Sequence, residues 1–363
     1  MQFVDFKAEA KEFSELYHAA FTRTLDSGWY ILGKEVESFE AEFADYLGSK
    51  HVIGVSNGLE AIQISLMALG IGPGDEVITT PLSAIATTLA IIAVGATPVF
   101  VDTKLDGQID EALIKAAITP KTRAILPVHL YGNACAIEPI REIAKTHNLF
   151  VIEDAAQAHG SMYKQQMLGT IGELGCFSFY PTKNLGAIGD AGCITTNDDA
   201  LATKCRQIRD YGQAKKYEHV VYGLNSRLDE LQAALLREKL KHLNELNGRR
   251  SANAKIYLEN LDKSKIDPIL PLPSTQANYH QFVIRVKKRN ELQTYLQQLN
   301  IPTLVHYPIL IPDQPLFNRE YADLNLPVSR QLTKEILSIP CGPYLSKAEV
   351  VQIAHAINGS PWV

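Results

Sequence analysis

The run from Val77 to Val101, VITTPLSAIATTLAIIAVGATPVFV, contains no charged residue. Its length alone would suffice for a membrane span. Its breakers argue otherwise, because Pro81, Gly95 and Pro98 cut it into pieces of strand, helix and strand length. No second stretch of this kind occurs in the chain. The reading is a buried β-α-β unit, with no membrane as partner.

The same alternation extends on both sides. HVIGVSN precedes GLEAIQISLMALG, and DEVITTP precedes SAIATTLAIIAVG; TPVFVD, RAILPVHL and LFVIED then follow up to Asp154. Several of these strands are apolar throughout instead of alternating, as expected when helices cover both faces of a sheet. The fold class is therefore α/β with a mostly parallel, wound central sheet. Beyond residue 183 come a strand GCITTN, a helix over 198–209, a long helical stretch over 226–261 and a Pro-rich connection over 267–278. YHQFVIRV then reads as a strand, NELQTYLQQLN as a helix and SKAEVVQIAHAIN as a closing helix. With 363 residues, 46% of them hydrophobic, the chain exceeds what one core of about 250–300 residues holds. The expected division is a large domain over 1–250, with an N-terminal helical segment, and a smaller α+β C-terminal domain over 251–363.

A net charge of −5 and a pI near 6.1 provide no basic face for nucleic acid. The local clusters GRR at 248–250 and RVKKR at 285–289 read as solvated charges. Cys135, Cys176, Cys193, Cys205 and Cys341 are scattered, with no CxxC pair, which suits reduced thiols and no zinc site. The N-terminal MQFVDFKAEAKEF has early acids and no apolar core of a signal peptide. Together these point to a cytoplasmic location.

Open parallel sheets bind ligands beyond the carboxyl ends of their strands. After HVIGV comes SNGLEA, where a glycine turn and a helix start present free N–H groups to an anion such as phosphate. Many such turns hold nothing. There is no P-loop, and GIGPGDE precedes a strand instead of following one, so nucleoside triphosphates and dinucleotides are disfavoured. After LFVI comes EDAAQAHG. A buried Asp154 needs a partner, and a positively charged ring nitrogen, a basic side chain or a backbone N–H would each serve. His159 reads as a packed, hydrogen-bonded histidine, since no other ligand stands at metal spacing; no metal is expected.

The stretch SFYPTKNLGAIGDAG, Ser178 to Gly192, keeps one lysine in a nearly uncharged, glycine-rich run. Desolvation lowers a lysine's pKa and makes it a nucleophile toward aldehydes. Pyridoxal 5′-phosphate (PLP) requires such a lysine, a carboxylate for its ring nitrogen and a phosphate cup. Lys183, Asp154 and the SNG turn supply one of each.

The chain resembles the DegT/StrS-type sugar aminotransferases, a family of PLP enzymes of fold type I (aspartate aminotransferase-like). The resemblance rests on GWYILGKEVESFEAEFADYLG, SNGLEA, GPGDEVITTP, EDAAQAHG, FSFYPTKNLGAIGDAG and YGLNSRLDELQAA, in family order over about residues 25–250, with HYP at 306–308 beyond. It implies that Lys183 carries the cofactor's aldehyde and later shuttles a proton, and that Asp154 pairs with the pyridine nitrogen. Gln157 would bond near the phenolic oxygen, while Ser178 and the amides of Gly58 and Leu59 would bind the phosphate. Asn225 matches an asparagine sent across a dimer interface, which implies a homodimer with shared active sites.

The implied reaction moves an amino group from glutamate to a keto group of a nucleotide-linked deoxysugar. Retention of Lys183 favours transamination over the dehydratase members, which carry histidine there, and over a non-catalytic regulator or binding protein. NGLEA and HYPI resemble the branch acting on 3-keto sugars, with His306 and Tyr307 near the sugar; a 4-keto substrate is the alternative. The nucleotide is expected to be dTDP, with UDP as the alternative. One departure stands out: where the family commonly has an aromatic residue to stack on the ring, Ala84 and Ile85 occur.

Overall fold

The structure is a computed structural model describing residues 1–318 and 320–363. Its centre is a seven-stranded sheet built from β1 (His51–Val55), β2 (Glu76–Thr79), β3 (Thr97–Phe100), β4 (Thr122–Leu126), β5 (Phe150–Asp154), β6 (Leu174–Ser178) and β7 (Gly192–Thr196). Their spatial order is β1-β7-β6-β5-β4-β2-β3. Six strands run in one direction; β7 alone is antiparallel, pairing Ile53 with Ile194 on one side and Cys176 with Ile194 on the other.

The unbroken apolar strands have the expected cause. Along β2, Ile78 enters one core and Val77 the opposite one; Val52 and Ile53, Ile125 and Ala124, Val151 and Ile152, and Phe177 and Cys176 divide in the same way. Every one of these side chains is buried, and each large one contributes about 1.5–3 kcal/mol. One face is covered by α3 (Lys34–Leu47) and α6 (Ile137–His147), the other by α4 (Gly58–Ala68), α5 (Ala86–Ala93) and α7 (Asp199–Arg209). The uncharged run from Val77 to Val101 is thus β2, α5 and β3 in sequence. Among the described residues no helix is long and apolar enough to cross a membrane.

The N-terminal helices α2 (Ser14–Ser27) and α3 pack beside α8 (Glu230–Leu240), and α1 (Phe6–Glu12) is tied to it by the Glu9–Lys239 ion pair. Glu230 replaces an N-cap for α3, its carboxylate accepting the amides of Gly33, Glu35 and Val36 at 2.7, 2.9 and 3.0 Å. The long helical stretch is two helices, α8 and α9 (Leu243–Asn260), broken at Lys241 and His242. Here His242 sets its ring edge-on to Phe13.

The C-terminal part is a three-stranded antiparallel sheet: Asp267–Pro268, β8 (Phe282–Arg285) and β9 (Ile336–Ile339). Helices α10 (Arg289–Gln298), α11 (Pro327–Glu335) and α12 (Lys347–Asn358) accompany it. Sequence reading overlooked α11 and β9; a four-residue strand, ILSI, straight after a short helix offers no separate strand period, although Pro327 marks the helix start. The Pro-rich segment is also more than a connection, since Thr275–Gln276 pairs with Met162–Tyr163 of the large sheet's side.

The two basic clusters depart from the solvated reading. Arg249 is surface-paired with Glu12 and Glu245, but Arg250 is buried because it shares a helix face with Leu243, Leu246, Asn247 and Ala254. Arg289 is buried as well, donating to the carbonyls of Ile336 and Thr333 at 2.9 and 3.0 Å. All five cysteines are free and buried.

Candidate active site

The carboxyl ends of the adjacent strands β5 and β6, and of β1 beyond the antiparallel β7, open into a cleft of about 430 Å³, closed on its far side by residues around His280 and His306. At the end of β1, Asn57 caps α4, its side chain accepting the amide of Glu60 at 2.9 Å. The amides of Gly58 and Leu59, first in the helix, have no helical acceptor. A Cβ placed on Gly58 would lie 2.6 Å from the Cβ of Ser178. The turn is therefore pressed onto the end of β6, and the two amides with the Ser178 hydroxyl form a cradle suited to a phosphate.

Glu153 and Asp154, adjacent on β5, face different surroundings. Glu153 is wholly buried and fully partnered: it accepts the amides of Gly169, Ile171 and Gly172 at 2.9, 2.7 and 2.7 Å and meets His129 Nε2 at 2.9 Å. Burial opposes its charge, yet His129 and these amides hold the carboxyl below its usual range. Asp154 lines the cleft and is 5% exposed. It accepts from Thr87 Oγ1 at 2.8 Å and from the Ala156 amide at 3.1 Å. Burial pushes its carboxyl up, and the Thr87 and Ala156 hydrogen bonds and the charge of Lys183 only oppose that rise. A protonated ring nitrogen would supply the missing cation.

Lys183 lines the same cleft. Its loop doubles back tightly: a Cβ on Gly186 would lie 2.4 Å from the carbonyl oxygen of Pro181, and one on Gly192 would lie 2.5 Å from the backbone of Asn57. That is why glycines crowd behind the lysine. The next residue anchors the loop, since the Asn184 amide donates to Asn247 Oδ1 at 2.7 Å and to the carbonyl of Asn278 at 3.1 Å. The lysine side chain keeps some exposure through the cleft mouth. Burial nevertheless lowers its ammonium to about 8, against the pull of Asp154. At neutral pH a useful share of this amine is unprotonated, as nucleophilic attack on an aldehyde requires.

Gln157 is held by its carbonyl oxygen, which accepts the Tyr131 amide at 2.6 Å, leaving its NH₂ directed toward Tyr307 Oη at 3.4 Å. His306 and Tyr307 enter from the C-terminal part: His306 Nδ1 lies 2.8 Å from Ser338 Oγ on β9, and its carbonyl accepts Tyr131 Oη at 2.6 Å. Burial, then the charge of Lys183, lowers His306 to about 4; burial, then Asp154, raises Tyr307 to about 12. Both are neutral in the physiological range.

Seven sequence-chosen groups, Gly58, Leu59, Asp154, Gln157, Ser178, Lys183 and the pair His306–Tyr307, share the cleft. Asn225 does not. It is exposed, on a segment bridged to Asp210, and is not among the residues lining this cleft. His159 is buried against Phe177 and Phe179, but among the described residues neither ring nitrogen has a hydrogen-bond partner of normal geometry. The packing is as expected but the hydrogen bond is not made, since the ring lies between two phenyl groups with the Ser178 backbone as a weak polar neighbour; burial followed by the charge of Lys183 lowers it to about 3, so it stays neutral. Ala84 lines the cleft, whereas Ile85 turns away to pack with Phe100, Ile311 and Phe317. Sequence reasoning missed Thr87, Tyr131 and His280. The doubled threonine in IATTLA gave no sign of which one would meet Asp154.

This sheet, with a lysine and a carboxylate across one cleft and a helix-capped anion cradle beside them, is the architecture of a fold-type I PLP enzyme. Residues 12–358 match the model of the DegT/DnrJ/EryC1/StrS aminotransferase family. A dTDP-3-amino-3,4,6-trideoxy-α-D-glucose transaminase of Streptomyces venezuelae is 44% identical over 98% of this chain and 95% of its own. A dTDP-3-amino-3,6-dideoxy-α-D-galactopyranose transaminase of Aneurinibacillus thermoaerophilus is 46% identical over 98% of both. Among solved structures, S. venezuelae DesV in complex with a ketimine intermediate superposes with a TM-score of 0.96 at 44% identity, over 98% of this chain and 97% of that one. Bacillus subtilis NtdA with bound cofactor PMP gives 0.90 at 34% identity, over 98% and 83%. The chain belongs to the DegT/DnrJ/EryC1/StrS aminotransferase family and is a PLP-dependent sugar aminotransferase.

Proposed function

We propose that the chain transfers the amino group of glutamate to the 3-keto group of a dTDP-linked keto-deoxyhexose, in two half-reactions with ping-pong kinetics. In the first, glutamate gives its nitrogen to the enzyme and, taking its keto oxygen from water, leaves as 2-oxoglutarate. In the second, the keto sugar collects that nitrogen and its oxygen departs as water. The observation that carries the reading is the pairing, in one cleft, of a lysine with a lowered pKa and a buried carboxylate lacking a cation. The choice of carbon and nucleotide rests on the two relatives, both named for dTDP-3-amino sugars.

When bound, PLP supplies an aldehyde that accepts amines and a protonated ring that draws electrons from the adjoining carbon. The residues then take distinct roles. Gly58, Leu59 and Ser178 hold the phosphate, and Asp154, fixed by Thr87 and Ala156, keeps the ring nitrogen protonated. Gln157, whose NH₂ also reaches Tyr307 Oη, would donate to the phenolic oxygen. Lys183 Nζ would hold the cofactor at rest and, as a free amine, would carry a proton between substrate and cofactor carbons. His306 and Tyr307 line the sugar side as neutral hydrogen-bonding groups. The methyl groups of Ala84 and Ala156 line the cleft walls where the flat ring must fit.

We infer also that the chain works as a homodimer in which Asn225 completes the partner's cofactor site. Support comes from its exposure and from the exposed apolar side chains near it, Tyr217, Val220 and Tyr222, with Trp29 and Tyr30 elsewhere on the surface. The division into a large part over 1–250 and a smaller one over 251–363 belongs to the same reading, with α9 shared between them. Incubation with glutamate and either dTDP-3-keto or dTDP-4-keto hexoses, with NMR of the product, tests the substrate. A 3-amino product is expected; amination only at C-4, or only of UDP sugars, would overturn the assignment.

A further inference from the structure

Behind the lysine loop lies a second cavity of about 200 Å³, walled by the N-terminal segment Met1–Asp5, by Thr182, Lys183 and Asn184, and by the turn from Gly342 to Leu345. Helix α9 closes it. On the inward face of that helix the polar side chains are matched one by one. Asn247 donates to the carbonyl of His159 at 2.9 Å, Asn253 to that of Gly342 at 2.8 Å, and Tyr257 Oη to that of Pro340 at 2.6 Å. Arg250, in the middle of this row, lines the cavity and is 8% exposed. Its guanidinium forms no hydrogen bond and no ion pair among the described residues.

A buried guanidinium stays charged and is costly without a counter-charge. The acids around the cavity are committed elsewhere. Glu9 favours the Arg250 charge only through space, its hydrogen bonds going to the Lys239 ammonium at 2.7 Å and the Tyr17 hydroxyl at 3.4 Å, while Glu349 closes the capping box with Ser346 and Asp5 caps α1 through the Ala8 amide. The five-donor fork of Arg250 is left free, and its natural complement is a carboxylate. Lys183 and Thr182 line both this cavity and the cleft.

We propose that Arg250 binds a carboxylate of the amino donor, so that the donor occupies this cavity with its amine directed toward Lys183. The inference rests on the aminotransferase reading above. It separates the recognition of the two substrates: the sugar meets His306 and Tyr307, and the donor meets Arg250 from behind the lysine loop.

The test uses the PLP-loaded enzyme, wild type against Arg250→Met and Arg250→Lys. Calorimetry with glutarate, a dicarboxylate without an amine, should show binding to wild type that weakens about 10- to 100-fold in Arg250→Met, the range for a charge-assisted hydrogen-bonded contact. Arg250→Lys keeps the charge without the fork and should fall between the two, which also covers the case of Arg250→Met failing to fold. The glutamate concentration that half-converts the enzyme, followed by cofactor absorbance, should rise by the same factor. Back-conversion by the aminated nucleotide sugar should change at least tenfold less. Equal glutarate affinity in all three proteins, or an equal effect on the sugar side, overturns the proposal. A wild-type enzyme that neither glutamate nor the amino sugar converts would instead sink the proposed function, so the two failures are distinguishable.

Discussion

Neighbouring acids at the end of β5 divide the molecule into two chemical regions. Below the strand end, Glu153 has three amides and an imidazole around it, and its charge is fully answered. Above it, Asp154 has one hydroxyl and one amide, and the lysine across the cleft forms no ion pair with it among the described residues. The first arrangement is architecture, because a saturated buried pair fixes one conformation and has nothing left to bind. The second is an incomplete site whose unmet electrostatic demands match those of a charged ring and an aldehyde. Perturbed ionisation alone does not distinguish them; both acids are shifted, and only the partner count separates structure from function.

That contrast is broken most severely by Lys183→Ala. Turnover should fall by more than about 10⁴-fold, since the nucleophile and a proton carrier worth about 10²–10⁴ by itself leave together. The cradle of Gly58, Leu59 and Ser178 should still retain PLP, observed as bound cofactor that borohydride no longer fixes to the protein. Turnover near the wild-type rate would remove the lysine from the mechanism. Asp154→Ala comes next, with an expected loss of about 10²–10⁴ in kcat. The apoprotein should unfold at no lower denaturant concentration than wild type, because a buried carboxylate without a cation contributes little to stability.

Glu153→Gln inverts this pattern. It leaves His129 buried without its counter-charge, and the cost should be about 3–5 kcal/mol of unfolding free energy, read as a lower urea midpoint. The kcat of the protein that remains folded should stay within about threefold of wild type, as Glu153 touches neither cleft nor cofactor. A large loss of kcat with unchanged stability would erase the distinction between the two acids.

The sequence disclosed these regions unequally, for physical reasons. Strand ends followed by Asn-Gly, by Asp-Ala-Ala and by a lysine among glycines are local signatures, so β1, β5 and β6 and the residues after them were readable one by one. Groups that arrive from another part of the chain were not. Thr87 reaches Asp154 across 67 positions, and Arg250 is buried by the turn-to-turn registration of α9, which a cluster written GRR conceals. The small C-terminal sheet was only half visible, because Ile336–Ile339 follows a helix without a break. His306 and Tyr307 came from the family resemblance; no spacing reveals that their segment, bridged to β9 through Leu304 and Ser338, brings them into the cleft. Asn225 lies at the far end of this range, exposed in a single chain. If a partner completes the site, mixing Asn225→Ala with Lys183→Ala subunits should restore activity to up to about a quarter of wild type, one sound site per mixed dimer at random pairing. Absence of any recovery counts against sharing.

The smallest effect concerns the proton on Lys183 itself. Its pKa of about 8 in the folded apoprotein lies below the usual 10.5 because burial disfavours the ammonium. The rate of PLP capture should therefore rise about tenfold per pH unit up to about pH 8 and then level, where an exposed lysine would continue to rise to about 10.5. The neutral histidines nearby, His159 at about 3 and His306 at about 4, add no inflection between pH 5 and 8. The same shift has a stability counterpart with a definite sign. Between about pH 8 and 10.5 the unfolded chain retains a proton that the folded one has released, so folding stability of the apoprotein gains as pH rises across that window. Below pH 8 both states are protonated and the penalty is constant. In Lys183→Met the gain should vanish, measured as the difference between the two proteins' urea midpoints at pH 7.5 and 10. A midpoint difference that does not change with pH would mean that the lysine is as well solvated as any on the surface, and its amine would be no more available at neutral pH than an exposed one.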